Sequence, residues 1–283
     1  MKRKWLAVGI ILLFLGTCVI PATAQNIGKQ LSSRGNWLYV GGSGPGNYTK
    51  IQDAIDNASN GDTVFVYDDS APYYETVIIN KSISLIGENK KTTVIDGRNK
   101  VVTVALAEDD ITFTGFTVQN ATLFLSHGMY VHSNNNIIRD NIFTHNELSD
   151  IYLHDSNNNT IRENTFQYSM IGVYLFESND TTVTRNTITK NYEYGIGLVN
   201  SKRNNISQNN IIDNERSDAF FIRNVGTYPL SNHWDANYWG RPYLLPKRIH
   251  GRLILLTYSV FALPFPQLNF DWHPAQEPYD IGV

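Results

Sequence analysis

Two short blocks of sequence return every 22 or 23 residues, and this period constrains the fold more tightly than any other feature of the chain. The first block reads Gly128-Met-Tyr-Val-His-Ser, Asp150-Ile-Tyr-Leu-His-Asp, Gly172-Val-Tyr-Leu-Phe-Glu, Gly195-Ile-Gly-Leu-Val-Asn and Asp218-Ala-Phe-Phe-Ile-Arg, in steps of 22, 22, 23 and 23 residues. The second reads Ile138-Arg-Asp-Asn-Ile-Phe, Ile161-Arg-Glu-Asn-Thr-Phe, Val183-Thr-Arg-Asn-Thr-Ile and Ile206-Ser-Gln-Asn-Asn-Ile, in steps of 23, 22 and 23. Phe113-Thr-Gly-Phe-Thr-Val is an earlier, irregular copy. Each block alternates apolar and polar residues, as a strand does, and none has apolar residues at helical spacing. Short strands returning at such a period are the coils of a solenoid. The Leu-rich consensus of leucine-rich repeats is absent. The expected fold is all-β: a right-handed parallel β-helix with a short N-terminal capping helix and an irregular C-terminal cap.

Alternation assigns faces, because successive strand residues point to opposite sides. Met129, Ile151, Val173 and Ile196 are expected inside, with Val131, Leu153, Leu175 and Leu198. Ile138, Ile161, Val183 and Ile206 form a second inward stack, and Phe143, Phe166, Ile188 and Ile211 a third. Asn141, Asn164, Asn186 and Asn209 recur at one turn of each coil. Stacked Asn side chains hydrogen-bond from coil to coil and satisfy turn backbone groups.

The ends of a solenoid must be covered, or open strand edges aggregate. Between Tyr48 and Ser59, Ile51, Ala54, Ile55 and Ala58 fall at helical spacing, with Thr49 as the expected N-cap. Beyond about Asn224 the period is lost, and the apolar stretch from Leu253 to Phe265 is expected to cover the C-terminal end of the core. At the other terminus, Lys2, Arg3 and Lys4, an apolar run from Trp5 to Ile20, and Ala22-Thr-Ala read as a signal peptide. The expected organisation is a signal peptide at 1–24, a linker at 25–36, the β-helix with its N-terminal cap at 37–224 and a capping segment at 225–283. Location is then secreted, cell-surface or periplasmic, with no membrane span in the mature chain.

Cys18, the one cysteine, lies in the signal, so the mature chain has no disulfide. Removing Lys2, Arg3 and Lys4 shifts the formal charge from −3 by three units to −6. That mild acidity argues against nucleic acid and anionic membrane as partners. Seven Asn-x-Ser/Thr sequons, from Asn47 to Asn205, are the chance product of an Asn- and Thr-rich solenoid.

Several segments resemble a known group. Ile51-Gln-Asp-Ala-Ile, Gly61-Asp62, Tyr74-Glu75 and Ser82-Ile-Ser-Leu-Ile-Gly87 resemble the opening of pectin-lyase-fold proteins. The coils resemble the NosD-like repeats, also called the carbohydrate-binding and sugar-hydrolysis (CASH) type. Asn232-His-Trp-Asp-Ala-Asn-Tyr-Trp239 is similar to the closing motif of that group. Asn269-Phe-Asp-Trp-His-Pro-Ala-Gln-Glu-Pro-Tyr-Asp280 resembles the tails of exported archaeal members. The resemblance covers roughly residues 37–283 and implies the fold. The group includes lyases, glycosidases, epimerases, surface proteins and a copper-site maturation factor, so it does not choose an activity.

The residues offer three readings. Tyr130, Tyr152, Tyr174 and Phe220 occupy one outward row, broken by Gly197, and His132, His154 and Phe176 occupy another. Aromatic rings with polar edges suit sugars, so the first reading is binding of a polysaccharide or cell-surface glycan along this face. The plain alternative is that stacked aromatics stabilise the coils. The second reading is a polysaccharide lyase or glycoside hydrolase, with Asp155 and Glu177 in adjacent coils, and Asp150 nearby, as the acids. A lyase would need Ca²⁺ on an acid cluster, but Arg139, Asp140, Arg162, Glu163 and Arg185 read as a solvated ion-pair row, with Arg139 opposite Glu163. The third reading is a structural or copper-handling protein, with His132 and His154, joined by His127, sharing a Cu²⁺ or Zn²⁺ ion. His233, His250 and His273, with Arg241, Lys247, Arg248 and Arg252, make the closing segment locally basic.

Overall fold

The computed structural model describes residues 35–224, 232–256 and 262–282; the expected signal peptide and most of the linker lie outside them. The chain winds as a parallel β-solenoid. Each regular coil contributes one longer strand and two short ones, which stack on their counterparts in three faces. The long-strand face runs through His127–Val131, Ser149–His154, Ile171–Phe176, Tyr194–Val199 and Ser217–Asn224. The second face includes Ile137–Arg139, Thr160–Arg162, Thr182–Thr184 and Asn205–Ser207. The third includes Ile142–Thr144, Thr165–Gln167, Thr187–Thr189 and Asn210–Ile212. Every one of these pairings is parallel, and like positions of the 22–23-residue blocks fall side by side.

Between the faces runs one apolar core. All the inward residues expected from alternation are buried, with relative exposure of 1% or less. The rings of Phe143 and Phe166 stack with centroids 5.1 Å apart. Each turn carries a left-handed residue, and few of these are glycine: Asp140, Glu163, Arg185 and Gln208 repeat at one turn, and His145, Tyr168, Lys190 and Asp213 at another. In the ion-pair row the structure corrects the expected partner. Glu163 pairs with Arg162 and Arg185, while Arg139 lies beside Arg162 in the strand register.

The Asn residues form a directed ladder. The backbone N–H and the side-chain amide of Asn141 both donate to Oδ1 of Asn164, and this repeats through Asn186, Asn209 and Asn237. The ladder ends on Asp271, whose Oδ2 accepts from the Asn237 N–H, the Asn237 amide and the indole N–H of Trp239 at 3.0–3.1 Å. A carboxylate terminates such a ladder well because it accepts without needing to donate.

The N-terminal cap is a seven-residue helix, Ile51–Asn57, with Ile51, Ala54 and Ile55 buried on the core. Its N-cap is Lys50, without a side-chain cap bond, and not the expected Thr49. The free N–H groups of Ile51 and Gln52 instead bond to the carboxylate of Glu75, at 2.9 and 3.0 Å. At the other end Lys81 Nζ donates to the carbonyls of Ile55, Asp56 and Ala58. An acid at the positive end and a base at the negative end satisfy groups that a short helix leaves unpaired.

At the C-terminus, Lys247–Leu256 and Ala262–Asp271 form an antiparallel hairpin. Its first strand extends the long-strand face beyond Ser217–Asn224, and its second joins the second face where Asp271 lies beside Trp234. Trp234, Trp239 and Ile249 are buried at this end of the core. Among the described residues, no helix is long and apolar enough to cross a membrane.

Candidate functional site

The outward side chains of the long-strand face form a continuous strip. Strand register sets Tyr130, Tyr152 and Tyr174 side by side, with ring centroids 5.7 and 5.1 Å apart. His132, His154 and Phe176 form the neighbouring row, at 5.7 and 5.4 Å. His127 lies against Tyr152 with centroids 4.6 Å apart. Gly197 continues the tyrosine row without a side chain, and a Cβ there would lie 2.5 Å from the ring of Phe220, which leans across the gap onto Tyr194.

Hydrogen bonds hold the strip in place. His127 Nδ1 is 2.7 Å from Ser149 Oγ, and His154 Nδ1 is 3.1 Å from the Tyr130 hydroxyl. His132 Nδ1 donates to the His154 carbonyl at 2.9 Å. Burial pushes the His127 imidazole down to about 4, so it is neutral at neutral pH. Burial also pushes the Tyr152 phenol up to about 12, reinforced by Tyr174, Tyr130 and Glu177, and raises Tyr130 and Tyr174. All three phenols therefore remain hydrogen-bond donors. Because the rings stack on one another, the strip offers edges, hydroxyls and imidazole nitrogens more than open ring faces.

The three acids separate. Asp155 and Glu177 are exposed at equivalent turns beside the strip, with φ of +48° and +51°. Such backbone is general to the turns of this solenoid and does not single the two out. Asp150 is fully buried. Its Oδ1 accepts from Asn146 Nδ2 at 2.9 Å and Ser169 Oγ at 2.5 Å. Ser169 interrupts an Asn row made by Asn146, Asn191 and Asn214, and Asp150 supplies the acceptor that an Asn there would have given. The corresponding position in two neighbouring coils is Gly128 or Gly172, where a Cβ would meet the next Asn side chain. A substrate on the strip does not reach this carboxyl.

The residues that sequence alone did not assemble are Ser149, which anchors His127, and the terminal pair Asn237 and Asp271. Asn237 stands 28 residues after Asn209, outside the period, so spacing carried no signal for it.

The family model described as periplasmic copper-binding protein (NosD) matches residues 55–240. Among solved structures, a pectin methylesterase mutant in complex with a hexasaccharide is similar, at 11% identity and a TM-score of 0.36, over 81% of this chain and 84% of that one. Comparison with curated proteins gives no match. Tested against copper, the donor set does not fit. Among the described residues no group of three or more His, Cys, Asp or Glu side chains could hold a metal ion. His132 and His154 offer two imidazoles and no third ligand for Cu²⁺ or Zn²⁺, and Met129 is buried, so the soft ligands that select Cu⁺ are missing from the strip.

Proposed function

The chain belongs to the NosD family, matched over residues 55–240, and with that as premise we propose that it is an exported solenoid that binds carbohydrate along its Tyr/His strip. The observation that carries this reading is the register of Tyr130, Tyr152 and Tyr174, with the two histidines alongside. Coils rise by about 4.8 Å, so the strip repeats hydroxyl donors and imidazole nitrogens at a constant interval. A polymer of sugar units presents hydroxyls that repeat in the same manner. Pull-down on a panel of insoluble polysaccharides tests the reading. Wild-type protein is expected to be retained by at least one, and Tyr152→Ala with Tyr174→Ala to reduce retention at least tenfold. Equal retention of the two proteins refutes it.

Exposure of Asp155 and Glu177 beside the strip supports a second reading, turnover of the bound glycan by this acid pair. Product release from uronate-rich and neutral glycans, lost in Asp155→Asn, is its expected result; unchanged release in that variant removes the pair from consideration.

A further inference from the structure

At the C-terminal end of the solenoid, the last long strand and the hairpin enclose a cleft of about 780 Å³. Four aromatic residues line it: Trp239, Tyr243, Phe270 and Trp272. Trp239 is buried, whereas Trp272 is 61% exposed and stands 5.2 Å from Phe270, centroid to centroid. Lys247 Nζ lies 5.3 Å from the Trp239 ring and 5.1 Å from the Tyr243 ring, and donates to the Tyr243 hydroxyl at 3.1 Å. Arg241 covers the same tyrosine at 5.1 Å. Burial alone would raise the Tyr243 phenol, but hydrogen bonds from Arg241 and Lys247 outweigh it and hold the phenol below its ordinary value. The ammonium is thus held in one place by two rings, with N–H donors to spare.

Arg248 and His250 also line the cleft, as does Arg216, which is paired with Glu193 at 2.8 Å, and the carboxylate among its lining residues is Asp218. Asp218 accepts from Asn214 at 3.1 Å and also lies within the field of Lys247. A cationic cleft is a local exception on a chain whose formal charge is −3. Low-dielectric walls concentrate such a field. His250 follows Phe220 in strand register, so the cleft opens where the outward row of the strip ends.

An exposed indole, Trp272, in the same cleft as a fixed cation is a platform for a ring that also carries negative charge. We infer that the cleft binds an anionic pyranose, a sugar unit bearing a carboxylate or a sulfate. Trp272 and Tyr243 contact the sugar ring, and Lys247 and Arg248 meet the anion. The cleft shares no residue with Tyr130, Tyr152 and Tyr174, so it stands or falls apart from the strip.

Titration calorimetry of the intact protein with trigalacturonate, an equally long sulfated galactan oligosaccharide and neutral cellotriose tests this. At least one charged ligand is expected to bind tenfold or more tighter than cellotriose, and the better of the two names the anion. Trp272→Ala and Arg248→Gln, both at exposed positions, are each expected to weaken it at least fivefold. Tyr152→Ala with Tyr174→Ala should leave its affinity unchanged. Equal binding of cellotriose, wild-type affinity in the two cleft variants, or no binding by any of the three ligands overturns the inference. Loss of binding in the strip variant alone overturns the cleft and leaves the strip reading intact.

Discussion

Single buried carboxyls decide how this solenoid is satisfied and where it responds to pH. Asp271 receives three donors at the end of the Asn ladder. Asp271→Ala would strand all of them in a buried site, and each orphaned group costs about 1–3 kcal/mol. A loss of about 3–5 kcal/mol in urea denaturation is expected, with Asp271→Asn losing clearly less because its amide oxygen still accepts. Asp150 acts differently. Burial pushes its carboxyl from the ordinary 3.8 up to about 8, against the lowering effect of hydrogen bonds from Ser169 and Asn146. The folded chain then keeps a proton that the unfolded chain releases. Its contribution to stability is full below about pH 4, declines as pH rises toward 8 and is lost above that. Asp150→Asn mimics the protonated acid, so the variant is expected to lack this decline and to exceed wild type in stability at pH 8. Parallel pH profiles of the two proteins would show that Asp150 is ionised when folded.

At the scale of elements, the capping helix is stable only as part of the first coils. Seven residues are too few for a helix to persist alone in water. Its ends are tied by Glu75 and Lys81, which lie well outside the helix in sequence. Glu75→Ala should destabilise the protein by about 1–2 kcal/mol, as loss of a helix cap does. Hydrogen exchange would show faster exchange at Ile51 and Gln52 before the coils respond. The break in the tyrosine row is also an element-level feature. Gly197 leaves the space that the Phe220 ring fills, so Gly197→Ala must displace Phe220. The same Cβ would press on the Tyr174 ring at 3.2 Å, so the expected outcome is lower thermal stability together with weaker strip binding.

For the whole molecule, each coil touches chiefly its neighbours, so stability is close to a sum over coils and their interfaces. Deleting residues 183–205 removes one 23-residue period and joins Thr182 to Ile206 in the same phase. The shortened chain is expected to keep its β-type circular dichroism and unfold cooperatively at a lower temperature. Deleting ten residues from the same point would put core positions outside, and that chain is expected to aggregate. The hairpin matters for the same reason: it pairs with the last coil and contributes Ile249, buried with Trp234 and Trp239 at this end of the core.

Period and alternation by themselves determined the coil, its winding in parallel, the inward stacks and the rows of Tyr130, Tyr152, Tyr174, His132 and His154. Those are local properties: one coil repeats the next, so a position in the period is also a position in space. Tertiary structure alone decided which acid is buried, since Asp150 and Asp155 differ by a turn of the backbone that the period does not show. It alone brought Glu75 to the helix, and Asp271 to the Asn ladder. The cleft of Tyr243, Lys247 and Trp272 has the same origin. Its residues come from a segment without a period, and a hairpin that folds back makes neighbours of side chains that no spacing in the sequence relates.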